Sequence, residues 1–240
     1  MQLAGKTILL TGGSDGIGKE LAQQLKVKGA TVIVTGLNPE RVAAMAGQGF
    51  ETVTADLSTH EGIDAVVAAV AGKPIDVLIN NAGVGSDHDL REGAPDLADN
   101  DACIFLNLNA PIHLTARLID GLRSRPEAMI VNTTSGLAIA PRAGGPVYCA
   151  TKAALRSYGM ALRHQLKDTN VHVLEALPPV VETKMTASRS GGKLSAAECA
   201  RQIVSAMESN ADEAAVGQVK LLKLVYSISP ALARRIMINF

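Results

Sequence analysis

The sequence predicts an α/β protein in which helices cover both faces of one doubly wound parallel sheet. Short apolar, β-rich runs alternate along the chain with longer alanine-rich helical patterns. The short runs are apolar at successive positions, which is typical of strands buried on both faces. The chain has 240 residues, 47% of them hydrophobic, without an internal linker, repeat or low-complexity tract. We therefore expect residues 1–240 to form a single domain around a large core.

Six strands and at least five helices follow from this alternation. Right-handed crossovers between successive parallel strands place the helices on both sides of the sheet. The predicted strands are Lys6–Thr11, Thr31–Thr35, Glu51–Thr54, Ile75–Asn80, Ala128–Thr133 and Val171–Ala176. The predicted helices are Gly16–Lys28, Pro39–Ala46, Thr59–Ala71, Asp96–Arg123 and Val147–Lys167, with a further helix after Ser195.

Two segments depart from the pattern. Pro178–Leu194 is polar and contains a double glycine, so it predicts a loop over about 178–195, at the substrate side of the domain. The tail, Val216–Phe240, is apolar but contains Lys223 and Pro230. An amphipathic helix pair covering the sheet, a subunit contact and a membrane-surface element are the alternatives. Packing or oligomerisation is favoured, because most amphipathic helices cover a core.

Charge and composition exclude several classes of function. Lys and Arg together number 23, as do Asp and Glu, so the formal net charge is zero and no nucleic-acid partner is expected. Cys103, Cys149 and Cys199 have neither close pairing nor metal-ligand spacing, and the five histidines are scattered. No metal site is expected. Without a signal-peptide pattern or an apolar run of about 18 residues, we expect no membrane span and a cytoplasmic protein.

A glycine-rich turn joins the first predicted strand to the first helix. Glycines there permit a tight turn and a close approach of phosphate to the backbone, and the helix N-terminus adds unpaired N–H groups. The glycines Gly12, Gly16 and Gly18 have the spacing GxxxGxG. In this the sequence resembles the classical short-chain dehydrogenase/reductase family, whose TGxxxGxG turn it matches. The resemblance runs from about residue 6 to 183 and implies a Rossmann-type fold.

The resemblance also implies the residues that bind a nicotinamide dinucleotide. Asp56-Leu57 matches the acidic pair that meets the adenine, and Asn80-Asn81-Ala82-Gly83 matches the family's NNAG. Pro178-Pro179 stands where the family has PG, which weakens the expected contacts after it, because proline removes the freedom of glycine. The implied binding residues are Gly12, Ser14, Asp15, Gly16, Ile17, Gly18, Leu37, Asp56, Leu57, Asn81, Ala82, Gly83, Tyr148, Lys152, Pro178, Val181 and Thr183.

The implied catalytic residues are Asn107, Ser135, Tyr148 and Lys152. Tyr148 and Lys152 form the YxxxK spacing, which puts phenol and ammonium on one helix face. A nearby positive charge favours the phenolate, so Tyr148 suits a general acid for ketone reduction. Ser135 would hold the substrate oxygen, and Asn107 would support a water linked to the lysine. Asn109 is a rival for that last role, but the NLxA pattern favours Asn107.

The form of the cofactor is less strongly indicated. The second predicted strand ends in Thr35-Gly36-Leu37-Asn38, without the acidic residue that binds the ribose 2′-hydroxyl of NAD. No basic residue stands near Leu37 either, although Arg41 and Lys19 are candidates to supply charge. NADP(H) is favoured, and NAD(H) stays open.

The expected function is hydride transfer between this cofactor and a small carbonyl or alcohol substrate. A non-catalytic regulatory or scaffold protein on the same fold is the alternative, since fold does not imply function. A homodimer through the helices around Asn107 and Tyr148, or a homotetramer, is the expected assembly. The tail lacks the family's closing strand with its glycine pair.

Overall fold

One parallel sheet organises the chain. The computed structural model describes residues 1–187 and 192–239. Its seven strands lie in the order β3-β2-β1-β4-β5-β6-β7, which confirms the predicted α/β, Rossmann-type doubly wound class. The strands are β1 (Thr7–Leu10), β2 (Thr31–Gly36), β3 (Glu51–Thr54), β4 (Val77–Asn80), β5 (Ala128–Thr133), β6 (Val171–Leu177) and β7 (Glu213–Ala215).

Helices follow the strands as predicted, and most begin at a capping side chain. Asn38, Thr59, Asp96 and Ser195 each accept a hydrogen bond from a backbone N–H of the first turn. The helices are α1 (Gly16–Val27), α2 (Pro39–Ala46), α3 (His60–Ala69), α4 (Leu97–Ile104), α5 (Ala110–Arg123), α6 (Pro146–Leu166), α7 (Ala196–Glu208), α8 (Val219–Ile228) and α9 (Pro230–Met237).

Two apolar clusters fill the two faces of the sheet. On one face, Leu21 and Leu25 of α1 and Ile203 of α7 pack on alternate residues of the strands. On the other face, Leu114 of α5 and Leu162 of α6 pack on the remaining strand residues. Burial on both faces explains why the strands are continuously apolar rather than alternating.

The order of the strands reverses between β1 and β4. β2 and β3 continue the sheet on one side of β1, whereas β4 to β7 continue it on the other. In open parallel sheets a crevice forms at such a point, beyond the carboxyl ends of the strands. The chain segments that follow β1 and β4 therefore border the crevice.

The sequence analysis missed one strand. β7 is only three residues long, and Ala214 pairs with Ala176 of β6. We expected no closing strand with a glycine pair in the tail, and β7 stands just before that tail. Its sequence, Glu-Ala-Ala, has neither β-branched nor aromatic residues, so nothing in its pattern indicated a strand.

The expected loop at 178–195 contains local structure. Val181 and Leu194 form an isolated bridge, and Lys184–Thr186 forms a short 3₁₀-helix that begins after Thr183. Residues 188–191 of the predicted loop lie outside the described residues.

The predicted amphipathic helix pair of the tail is present, as α8 and α9. A Cβ added to Gly136 would lie 3.0 Å from Val219 Cγ2, so α8 packs beside the end of β5. The amide of Ala143 donates to the carbonyl of Ile238 at 2.9 Å, which holds the end of α9 against the chain that precedes α6.

One helical segment is long and apolar enough to cross a membrane by length and composition alone. It is Leu97–Arg123, which comprises α4, a π-helical turn at Phe105–Asn109, and α5. The helix α5 packs on the sheet and α4 packs on α6. Packing within the α/β layers therefore accounts for the apolar side chains of this segment.

Candidate active site

The glycine-rich turn lies closely against the end of β4. Gly12 has φ +64°, and a Cβ at that position would lie 2.8 Å from Ala82 Cα. A Cβ on Gly18 would collide with the carbonyl oxygen of Gly12. Only glycine therefore fits both positions, and the N-terminus of α1 opens directly onto the crevice. The turn provides the close approach and the unpaired N–H groups that a pyrophosphate requires.

Thr11 and Asn81 join this turn to β4. Thr11 Oγ1 accepts from the amides of Asn81 and Ala82, at 2.9 and 3.0 Å. Asn81 Nδ2 donates to the carbonyls of Thr11 and Gly12, at 3.1 and 3.2 Å. The sequence analysis did not assign a role to Thr11. Its hydroxyl fixes the turn to the NNAG segment, so the turn is positioned before any ligand arrives.

Charged side chains surround the start of α1. Asp15 caps the helix, accepting from the amide of Gly16 at 2.9 Å. Arg41 Nη1 donates to Asp15 Oδ2 at 2.8 Å, and Lys184 Nζ lies 3.6 Å from the same oxygen. Arg41 lines the cavity at the end of β2, whereas Lys19, the other basic residue considered from sequence, is not among its lining residues.

Asn107 lies in the π-helical turn between α4 and α5 and is fully buried. Its Oδ1 accepts from the amide of Val84, and its Nδ2 donates to the carbonyl of Val84, each at 2.9 Å. Nδ2 also lies 3.2 Å from Thr151 Oγ1. π-Helical turns within helices are frequent at functional sites. This one turns the Asn107 side chain toward the segment after β4.

Lys152 is a buried cation on α6. Its Nζ donates to the carbonyl of Thr133 at 2.9 Å and lies 5.7 Å from the centre of the Tyr148 ring. Burial disfavours the charged form and lowers the pKa of Lys152 to about 8. The ammonium and the phenol therefore lie on one face of α6, as the YxxxK spacing predicted.

Ser135 follows β5 and opens onto the same cavity as Tyr148. Its backbone is extended, and its Oγ accepts from the amide of Leu137 at 3.1 Å. That contact uses an acceptor site and leaves the hydroxyl proton to donate elsewhere.

One large cavity connects most of these groups. Its volume is about 1200 Å³, and it extends from the glycine-rich turn past Tyr148 to α8 and α9. Every binding residue predicted from the sequence lines it, as do Ser135, Tyr148 and Lys152. Asn107 does not line it and lies behind Gly83. A Cβ on Gly83 would lie 3.0 Å from Asn107 Oδ1 and 3.4 Å from Lys152 Nζ.

The sequence analysis missed the part of the wall that comes from α8 and α9. Val219, Leu222 and Val225 of α8 and Ile236 of α9 line the cavity. An amphipathic pattern alone did not indicate that these helices close a cavity rather than cover the sheet.

The residues of the crevice fit a nicotinamide dinucleotide. The glycine cradle would be filled by any Cβ at Gly12, and the α1 N-terminus faces it. Thr133 Oγ1 is buried without a hydrogen-bond partner in the part of the chain that the structure describes, although Thr133 lines the cavity. An unpaired polar atom at a ligand cavity is available to a bound ligand.

The three cysteines are buried thiols, and none of them forms a disulfide within the described residues. Burial raises the pKa of the Cys103 thiol, and it raises that of Cys199 to about 12. These two thiols are therefore poor nucleophiles. Within residues 1–187 and 192–239, no group of three His, Cys, Asp or Glu side chains is placed to hold a metal ion.

Comparison with known proteins identifies the family. A family model described as short chain dehydrogenase matches residues 6–193. The oxidoreductase DltE of Bacillus subtilis is 43% identical over 187 residues, which cover 76% of this chain and 74% of that protein. Serine 3-dehydrogenase of Agrobacterium fabrum is 33% identical over 199 residues, covering 80% and 78% respectively.

The fold is shared with solved structures of the same kind. A short chain dehydrogenase of Burkholderia cenocepacia in complex with NADP has a TM-score of 0.89 at 24% identity, covering 99% of both chains. Similar structures hold NADP or NAD. With the glycine cradle and the family match together, the chain is an NAD(P)-dependent oxidoreductase that belongs to the classical short-chain dehydrogenase/reductase family.

Proposed function

We propose that this protein transfers a hydride between NADP(H) and a small carbonyl or alcohol substrate, with Tyr148 as general acid and base. The observation that carries the proposal is the buried ammonium of Lys152, 5.7 Å from the Tyr148 ring. Ser135 lines the same cavity. A phenol, a hydroxyl and a cation at one cavity are the groups that protonation of a developing alkoxide requires.

In the direction of reduction, Tyr148 gives its phenolic proton to the substrate oxygen, and Ser135 donates a hydrogen bond to the same atom. The charge on Lys152 stabilises the phenolate that remains. Asn107 is a positioning residue, because its side chain is fixed by Val84 and lies behind Gly83 next to the lysine. The bound dinucleotide supplies the hydride. In the direction of oxidation, Tyr148 takes the proton back.

The residues that would hold the dinucleotide divide by position along the cavity. Gly12, Gly16 and the α1 N-terminus would hold the pyrophosphate, and Asp56 would meet the adenine end. Near the nicotinamide end, Lys152 would contact the ribose. Val181 and Thr183 also border the cavity, and Thr183 lies beside the glycine-rich turn, since its Cγ2 would be 3.0 Å from a Cβ on Gly16.

NADP(H) is the proposed form of the cofactor. Arg41 lies in the first turn of α2, shortly after β2 ends, and pairs with Asp15, and Lys184 lies near the same carboxylate. Two cations around one anion leave a net positive charge where a 2′-phosphate would lie. No acidic side chain stands at Gly36-Leu37-Asn38 to repel that phosphate. NAD(H) is the alternative.

Direct titration tests this preference. We expect NADPH to bind at least tenfold more tightly than NADH, followed by the fluorescence of the reduced nicotinamide. Arg41→Ala should remove most of the difference, and Arg117→Ala, an exposed arginine paired with Asp64, should leave it. Tighter binding of NADH would overturn the cofactor preference but leave the proposed role of Tyr148.

The chemistry is tested by removing one hydroxyl. Tyr148→Phe should lower kcat for carbonyl reduction by at least about a hundredfold and leave NADPH binding in place. Tyr158→Phe is a matched control, because Tyr158 lies on the same helix but does not line the cavity. Tight NADPH binding without turnover of any carbonyl in a broad panel would contradict the proposal and favour the non-catalytic alternative.

The protein is further proposed to act as one domain over residues 1–240, in the cytoplasm, as a homodimer or homotetramer. Three cysteines that form no disulfide within the described residues support a reducing compartment. No nucleic-acid partner is expected from the balanced charge.

A further inference from the structure

We infer that the substrate carries an aliphatic chain, which lies against α8 and α9 while its carbonyl or alcohol group reaches Ser135 and Tyr148. The inference rests on the proposed function and names the substrate class of that same site. It follows from the chemistry, the position and the size of the cavity wall beyond Tyr148.

The wall beyond Tyr148 is aliphatic. Leu221, Leu222 and Val225 of α8 and Ile236 and Met237 of α9 line it. No charged residue of α8 or α9 lines the cavity, and its charged lining residues come from other elements: Asp15, Arg41, Asp56, Lys152, Lys184 and Lys193. A polar substrate would find few hydrogen-bond partners along α8 and α9. A hydrocarbon chain would contact a continuous apolar surface there.

This aliphatic wall is continuous with the reacting groups. A Cβ on Gly136, the residue after Ser135, would lie 3.0 Å from Val219 Cγ2 and 3.5 Å from Leu222 Cδ2. The carbonyl of Ile238 accepts from the amide of Ala143 and so closes α9 over the segment that leads to Tyr148. A chain attached to a carbonyl at Ser135 would therefore leave along α8.

The cavity is larger than a typical pocket for one small ligand. Its volume of about 1200 Å³ exceeds the range of roughly 300–1000 Å³ that holds a single small ligand. Leu221 is 62% exposed and Ile236 is 53% exposed at its rim. When a hydrocarbon chain covers this exposed apolar surface, the free energy of binding becomes more favourable. The gain corresponds to about a fourfold increase in affinity for each buried methylene.

Binding of straight-chain alcohols to the NADPH complex tests the inference without turnover, because the reduced cofactor cannot oxidise an alcohol. Isothermal titration calorimetry would compare 1-butanol, 1-hexanol, 1-octanol and 1-decanol. We expect Kd to fall by about three- to fourfold for each added methylene. A Kd that is independent of chain length would overturn the inference.

Two matched variants show where the chain lies. Leu221→Asp should weaken 1-decanol binding by at least about tenfold. Leu224→Asp should leave it within about twofold, because Leu224 is 56% exposed on the same helix but does not line the cavity. If Leu221→Asp does not fold, Ile236→Asp takes its place. Equal loss in the Leu224 and Leu221 variants would overturn the inference.

The outcomes separate this inference from the proposed function. Turnover of short carbonyls that Tyr148→Phe abolishes, together with a flat alcohol series, would keep the function and remove the aliphatic substrate. A steep alcohol series with no turnover of aldehydes or ketones of the same lengths would do the reverse. It would leave a site for aliphatic ligands without the proposed chemistry.

Discussion

Lys152 is buried as a cation, and its burial makes stability depend on pH. Burial lowers its pKa to about 8, whereas an unfolded lysine titrates near 10.5. Between these values the unfolded chain binds more protons than the folded protein, so the free energy of unfolding rises with pH. We expect Lys152 to contribute a rise of about 3 kcal/mol between pH 8 and 10.5.

Urea denaturation from pH 7 to 10.5 measures this rise, in the wild type and in Lys152→Met. Methionine keeps an unbranched apolar side chain but cannot titrate, so the difference between the two proteins isolates the lysine. If the free energy of unfolding changed with pH in the same way in both proteins, Lys152 would titrate normally in the folded state.

Gly12 permits a different prediction, because both its φ and its surroundings exclude a side chain. Gly12→Ala should weaken NADPH binding by at least about tenfold, since its Cβ would push the backbone of Ala82 out of the crevice. Gly72→Ala is the matched control: Gly72 has φ +74° but no atom within 4 Å of an added Cβ. It carries the same backbone cost, about 1–2 kcal/mol, and should bind NADPH normally in a fluorescence titration.

At the scale of elements, a chain of ion pairs joins α6 to the edge of the sheet. Arg156 of α6 pairs with the buried Glu175 of β6 and, at 3.1 Å, with Glu213 of β7. Thr134 Oγ1 donates to Glu175 at 2.7 Å. The network holds the residue before Ser135 and the helix that carries Tyr148 to the same two strands.

Removing Arg156 would leave the carboxylate of Glu175 buried without its cation. We expect Arg156→Met to lower the free energy of unfolding by about 3 kcal/mol. Arg117→Met, which breaks the exposed pair with Asp64, should cost less than about 1 kcal/mol. Chemical denaturation compares them, and losses of equal size would mean that the buried network contributes no more than a surface pair.

The elements also show how far a sequence predicts this fold. Continuous apolar runs located β1 to β6, and alanine-rich helical patterns located most of the helices, because both signals are local. β7 was missed because its three residues owe their strand conformation to pairing with β6. The π-helical turn at Asn107 was also missed, and the side chain that it carries bonds to the distant Val84, a contact that no local pattern records.

At the scale of the whole molecule, helices α4 and α6 contact each other and present Ile104 and Met160 to solvent, at 39% and 49% exposure. The predicted assembly uses this face. Light scattering after size exclusion should give the mass of a dimer or tetramer, and Met160→Arg should reduce it. Val27→Arg, on α1 across the sheet, should not. A monomeric wild type would contradict the prediction.

The site was predictable to the extent that it follows strand ends. Gly12, Ser135 and Tyr148 lie in short motifs that each keep a fixed place relative to a strand or helix. The wall of the cavity formed by α8 and α9 was not predictable in the same way. That α8 rests on Gly136, more than eighty residues earlier in the chain, is set by tertiary packing, and no local pattern records it.

That contact has an evolutionary consequence. The segment matched by the family model ends at residue 193, and α8 and α9 come after it. The groups proposed for proton transfer and the wall proposed to face the substrate are thus encoded in separate stretches of the gene. On this proposal, mutations confined to the last two helices would alter the choice of substrate and leave the groups that carry out the reaction unchanged. Exchange of this terminal segment between relatives would then be expected to change substrate specificity in a single step.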